Sequence, residues 1–426
     1  MKKERITFLD GLKGFACLGV FTHHFFLSFF PASYFGTEAA VMTASGFDAS
    51  LSVEPYSFFV NGNFWVCLFL VVSAFLVSNK IFQLRISYEV LQGSASDSVS
   101  HEREQQCGQM PIFDTLSATL LKRYLRLMIP AALIGIFSYF LTDLLTFTGL
   151  NYLGKVNVLS FPSFLYHAVV HMWIFVDSSV QGPFWMLHYL LFGSYLAILI
   201  ALATPLKNRW TPLIHLFLTV VLGILNHYYV GIVLGVMICY LYHYGISLQK
   251  TSDRGCLAKI MSLLTQNKIL RSAVGILLLL TGLFLGAYPS YVKPDNIYRI
   301  FNAYAFRDPD AYELIHSIAA ACLLASFFLL KGLADFFSTK PFLFLGKLSF
   351  SIFLIHSILL EHLGYFIMHK TNALIGNYSF AGILTYLILF CLLIPLSFAC
   401  YGTIERFGNW VCGKLFNREQ HSVPTK

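Results

Sequence analysis

Residues 6–26 read ITFLDGLKGFACLGVFTHHFF, an apolar run long enough to cross a bilayer that nevertheless carries Asp10, Lys13, His23 and His24. Ionisable groups inside such a run are expensive and mark function. On a helix advancing about 100° per residue, Lys13 and His24 fall within about 20° of one line, and Asp10 lies about 40° from it. His23 sits about 80° away. The run therefore reads as a transmembrane helix with one polar stripe of Asp10, Lys13 and His24. A rise of about 1.5 Å per residue puts His24 about 16 Å deeper than Lys13, near the middle of a hydrocarbon core about 30 Å thick.

The rest of the chain repeats this pattern. Of 426 residues, 57% are hydrophobic and 12% charged, against roughly 25% charged in a soluble domain. Aromatic content of 16% with 42 phenylalanines excludes a disordered or collagen-like chain. The class is an all-α polytopic membrane protein of about ten helices, at 12–30, 58–79, 126–148, 184–204, 211–226, 228–246, 270–288, 313–331, 346–368 and 379–402. An eleventh apolar stretch, FPSFLYHAVVHMWIFV (161–176), is short for a span and reads as interfacial or re-entrant.

Counted by alternate loops, 24 of the 29 Lys and Arg fall on the side of the N-terminus and 5 on the other. That asymmetry predicts both termini inside and an even number of spans. The same distribution accounts for the net charge of +8 without a nucleic-acid partner. No cleavable signal peptide is expected, since Asp10 and Lys13 interrupt the first run and no small-residue site follows. The nine cysteines show no CxxC spacing and read as small buried hydrophobes. Residues 1–410 form one membrane domain, with a flexible cytoplasmic loop inside 80–125 (SASDSVSHEREQQCGQM at 94–110) and a cytoplasmic tail at 411–426. The outside segment 289–312 is rich in Tyr, Pro and both charges, and reads either as an aromatic cap where a polar acceptor could dock or as an ordered lid with interfacial tyrosines.

Other polar positions follow from spacing. Arg123 and Arg126 share a face just before Pro130 and suit phosphate oxygens as well as topological anchoring. Ser349 and His356, seven residues apart, share a face of the 346–368 helix. Asp143 and Glu361 are candidates for cavity lining or inter-helix pairing. His167 and His171 have the i, i+4 spacing of two metal ligands, but no Glu lies between them and no third ligand is evident, so no metal is expected. No P-loop, nucleotide-binding glycine motif or GxSxG elbow is present.

Taken in order, FLDGLKGFACLGVFTHHF (8–25), FWVCLFLVVSAFLVS (64–78), KRYLRLMIP (122–130), GPFWMLHYLLFGS (182–194), FLGKLSFSIFLIHSILL (344–360) and YGTIERF (401–407) resemble the motifs of the acyltransferase family 3 membrane proteins, which O-acylate cell-surface polysaccharides and similar acceptors. The resemblance implies a ten-helix core and an acyl-CoA co-substrate, most simply acetyl-CoA, arriving from the cytoplasm, with no permanently bound cofactor. It also implies a glycan or lipid-linked glycan acceptor on the far side. By position His24 becomes the catalytic histidine, oriented by Asp10 or a neighbouring helix, and Lys13, Arg123 and Arg126 become donor-binding. Ser73, Trp185, His188, Ser349 and His356 are assigned to the cavity or acceptor. Lys13 stands where the family usually has arginine, and Leu190 near where related sequences carry a glutamate. The family's appended extracytoplasmic hydrolase domain is not expected here. Membrane lipids are the other partners, and a bacterial inner membrane is favoured over a eukaryotic one. The rival readings are a transporter or flippase of a lipid-linked or small polar substrate, and a family member that binds without turnover.

Overall fold

A computed structural model describes residues 6–43, 45–95, 110–206, 208, 210–248, 256–302 and 310–416. Most of the expected loop sequence at 94–110, part of the 289–312 cap and the end of the tail, including Cys107 and Arg307, lie outside the described residues. The structure is 83% helical, and no strand occurs among the described residues.

Each apolar run of the sequence is a helix. These are α1 (Phe8–Phe29), α2 (Gly62–Ala95), α3 (Met110–Phe147), α4 (Trp185–Ala203), α5 (Thr211–Leu225), α6 (His227–Leu248), α7 (Lys268–Gly286), α8 (Ala311–Leu329), α9 (Lys340–Ile358) and α10 (Tyr378–Cys400). By length and hydropathy, seven helices among the described residues can cross a membrane, or eight if α1 is joined to its continuation Ala32–Glu38, bent by 103°. The expected ten therefore includes runs that are helical without meeting that standard: α5 is only 15 residues long. Helix α2 continues to Ala95 and α3 begins at Met110, so the loop between them is shorter than 80–125.

Local sequence sets the ends. Asn267 and Asn377 cap α7 and α10 by accepting the amide N–H of Leu270 and Phe380, both at 3.0 Å. After α9, a π turn at Leu359–Gly364 leads into a further helical stretch that stops at Gly376, whose φ of 68° is the left-handed conformation glycine adopts without strain.

Helix α2 is the central element, and its apolar side chains Leu68, Val71, Val72 and Phe75 are fully buried. Helices α5 and α7 are peripheral, with Phe217, Ile224, Ile269 and Leu277 exposed, as expected where hydrocarbon is the solvent. Helix α1 packs most extensively on α9, and the two run parallel. Their backbones meet where Gly14 faces Gly346: a Cβ on Gly14 would lie 2.4 Å from the Gly346 nitrogen, and one on Gly346 would lie 2.2 Å from the Asp10 carbonyl oxygen. This close approach holds the polar stripe of α1 against α9. Of the described cysteines, Cys17, Cys67, Cys239, Cys400 and Cys412 are buried and free, while Cys391 is exposed.

Candidate functional site

Parallel packing of α1 on α9 brings His24 beside His356, with ring centroids 5.2 Å apart. His23 lies on the other side of His24 at 5.0 Å. A carbonyl oxygen can only accept, so His23 Nδ1, 2.7 Å from the Val60 oxygen, must carry a proton. The same holds for His356 Nδ1, 2.7 Å from the Phe353 oxygen. In the neutral rings Nε2 is then the basic nitrogen. His356 Nε2 is buried with no hydrogen-bond partner, and such an orphan in a core invites a ligand.

Asp10 is elsewhere. Its carboxylate pairs with Lys13 at 3.1 Å, and fourteen residues of helix put it about 21 Å from His24. The groups adjoining His24 are therefore histidines of α1 and α9, and the orienting role expected of Asp10 passes to the neighbouring helix. Sequence spacing set His23 apart from the stripe; its ring reaches His24 because the two are adjacent in the chain.

The Lys13 end of the stripe is basic. After α10 the chain makes a π turn, Tyr401–Glu405, and continues as Arg406–Phe416. Lys13 and Arg126 both act coulombically on Glu405, whose carboxylate accepts the Ser351 hydroxyl of α9. Arg123 donates from Nε to Ser194 Oγ at 3.0 Å, and neither Nη group hydrogen-bonds among the described residues. Ser194 in turn donates to the carbonyl of Leu190, so the position near which related sequences carry a glutamate is linked here to Arg123 through backbone and hydroxyl. Glu405 lies inside the YGTIERF stretch; without knowing which helix α10 faces, spacing alone could not single it out.

The remaining expected cavity residues disperse. Ser73 and Ser349 are buried in α2 and α9, and no hydrogen bond among the described residues ties either to His24. Trp185 packs its ring 5.6 Å from Tyr228. His188 donates from Nδ1 to the Trp173 carbonyl at 3.2 Å and stacks on Phe192. Asp143 is exposed and accepts from Asn157. Glu361 pairs elements, accepting Lys155 Nζ at 2.7 Å and Gln181 Nε2 at 2.8 Å.

Residues 161–181 fold back on themselves as a hairpin along α3. Phe161 and Phe164 pack on Tyr139 of α3, Val169 accepts the hydroxyl of Tyr124 deeper along α3, and Gln181 returns to Ser138 beside Tyr139. A third ligand, missing from the sequence reading, is found here: His167, His171 and Asp177 converge. Burial alone would raise the Asp177 carboxyl pKa, but the Ser179 amide, both histidines and the Ser179 hydroxyl outweigh it and hold it at about 2.

Beyond the His24 end of α1, a cavity of about 510 Å³ is lined by Phe29, Pro31, Thr43, Asp48, Asn377 and Tyr378 among others. Neither His24 nor His356 lines it, so this cavity does not contain the histidine pair. The 289–302 part of the cap packs through Tyr298 on Phe284 and through Tyr291 on Phe35. Tyr34, next to both Tyr291 and His23, connects that cap to the histidines.

Long apolar helices packed around a half-buried His24 and a fully buried His356, with a basic cluster about 16 Å along the same helix, define a multi-spanning membrane protein with a polar interior. The chain belongs to acyltransferase family 3: the family's acyltransferase domain matches residues 6–402 of 426. No curated protein and no solved structure matches it. It is a membrane acyltransferase.

Proposed function

We propose that the protein O-acylates an extracytoplasmic glycan or similar hydroxyl acceptor, using cytoplasmic acyl-CoA, with acetyl-CoA as the simplest donor. The observation that carries this reading is the pairing of His24 with His356, whose buried Nε2 has no partner. Lys13, Arg123 and Arg126 lie toward the opposite end of α1 and suit the phosphates of the donor. The excess of Lys and Arg on the side of the N-terminus supports a cytoplasmic location for that end.

In the proposed reaction the thioester is threaded toward His24. His24 takes the proton of the acceptor hydroxyl as its oxygen attacks the thioester carbonyl. The C–S bond breaks, an ester C–O bond forms, and the proton passes to the departing sulfur to give free CoA. His356, in ring contact with His24, is the second imidazole that can receive or return that proton. The hydroxyl- and amide-bearing cavity beyond α1 supports acceptor approach from the far side, because a sugar needs a polar route.

The test is CoA release from acetyl-CoA by the full chain in lipid nanodiscs with a glycan mixture. Wild type should turn over, and His24→Ala should lose about 10²–10⁴-fold while retaining its melting temperature. A folded His24→Ala protein that releases CoA at the wild-type rate would remove this histidine from the chemistry. Binding without turnover by any acceptor favours the binding-only alternative.

A further inference from the structure

Away from the His24 pair, the hairpin along α3 carries a compact cluster of metal-ligating groups. His167 Nδ1 and His171 Nδ1 approach one oxygen, Asp177 Oδ2, at 2.7 and 2.9 Å. The three ligand atoms lie within 4.8 Å of one another, and the imidazole rings are 4.4 Å apart between centroids. The two histidines fall on one π-helical turn, His167–His171, and Asp177 on the returning limb.

We propose that His167, His171 and Asp177 bind a divalent transition-metal ion of the zinc type, clipping the two limbs of the hairpin together. Two imidazole nitrogens and one carboxylate oxygen form a donor set suited to such ions and unsuited to Mg²⁺ or Ca²⁺. Two imidazole ligands and one carboxylate bring a single negative charge to the dication. Bonds of about 2.0–2.2 Å in a tetrahedral site set ligand atoms about 3.3–3.6 Å apart, so the two Nδ1–Oδ2 separations need open by only roughly half an ångström.

The surroundings already orient the ligands. The Ser179 amide holds Asp177 Oδ1 at 2.8 Å, which leaves Oδ2 directed at the histidines. Ser179 Oγ, 2.9 Å from both His167 Nδ1 and Asp177 Oδ2, can remain a hydrogen-bond donor to the bound carboxylate. The side chains of His167 and His171 are 20% and 31% exposed, so an ion can reach them. On binding, each ring's proton moves from Nδ1 to Nε2 through solvent, and no net proton is released by a neutral imidazole. The clip joins residues ten apart and thereby steadies a hairpin whose carbonyls at Val169 and Trp173 serve Tyr124 and His188.

The experiment titrates Co²⁺, then Zn²⁺, into chelator-stripped full-length protein in lipid nanodiscs, following the visible d–d absorption and the binding heat. One Co²⁺ per chain, displaced by Zn²⁺, is expected, with affinity falling at least about tenfold in both Asp177→Asn and His171→Gln. His369→Ala, a histidine outside the cluster, should bind as wild type does. Histidine ¹⁵N spectra should show two rings changing tautomer on Zn²⁺ addition. No d–d spectrum in the wild type, or wild-type affinity in both Asp177→Asn and His171→Gln, would overturn the proposal and leave a hydrogen-bonded cluster only. If one variant does not fold, the other and the wild-type spectrum decide.

Discussion

His24 illustrates how a residue acquires chemistry from neighbours that periodicity cannot name. The stripe on α1 put Asp10, Lys13 and His24 on one line, yet the line is long, and only contact range matters for proton transfer. His356 comes close because α9 is parallel to α1 and adjacent to it. Arg123 shows the same dependence: its spacing from Arg126 was legible, its bond to Ser194 was not. Replacing Arg123 by Lys keeps the charge and loses the fork that contacts Ser194 and a phosphate together. KM for acetyl-CoA should then rise about tenfold, equivalent to about 1.4 kcal/mol, with kcat little changed. Steady-state kinetics in nanodiscs measures both; an unchanged KM would remove Arg123 from donor binding.

At the scale of elements, two features govern stability. The first is the glycine contact between α1 and α9. In Gly346→Ala the new Cβ would meet backbone atoms of Asp10, which cannot swing aside, so the helices must separate. Overpacking of this kind costs about 1–3 kcal/mol, and a lower melting temperature with reduced CoA release is expected, since His356 moves with α9. A melting temperature equal to that of wild type would mean the two helices are not held this closely. The second feature is the cap. Burial, with the charge of Glu54, pushes the Tyr298 phenol up to about 12 from an ordinary 10. A raised folded-state pKa stabilises the fold fully below pH 10 and is lost as pH rises through about 12. Alkaline melting should thus steepen above pH 10 in the wild type and flatten in Tyr298→Phe, after allowance for that variant's lost bond to the Phe284 carbonyl.

Each of the three π turns among the described residues carries ionisable groups: His167 and His171, Glu361 and His362, and Glu405. A π turn inserts a residue into the ladder and redirects the side chains after it, which is how Glu361 meets Lys155 and Gln181. No residue type announces such an insertion, so these contacts were absent from the sequence reading even where the residues themselves stood out.

For the whole molecule, hydropathy and the uneven distribution of Lys and Arg lead to one architecture with a stated orientation. The charge asymmetry predicts that a membrane-impermeant thiol reagent labels single cysteines introduced at Lys3 and Lys426, in a background lacking the native thiols, only in inside-out vesicles. Labelling of the two positions from opposite faces would make the number of spans odd and overturn that orientation.

The sequence by itself determined that the chain is helical, lives in a membrane and belongs to an acyltransferase family. Those properties follow from composition, periodicity and motif order, each carried by residues close together in the chain. Tertiary structure alone decided that His24 pairs with His356, that Arg123 rests on Ser194, that Glu405 joins the basic end, and that Asp177 completes a cluster with His167 and His171. Each of those contacts depends on which helices lie side by side and where a π turn shifts a face, quantities set by packing across the whole bundle.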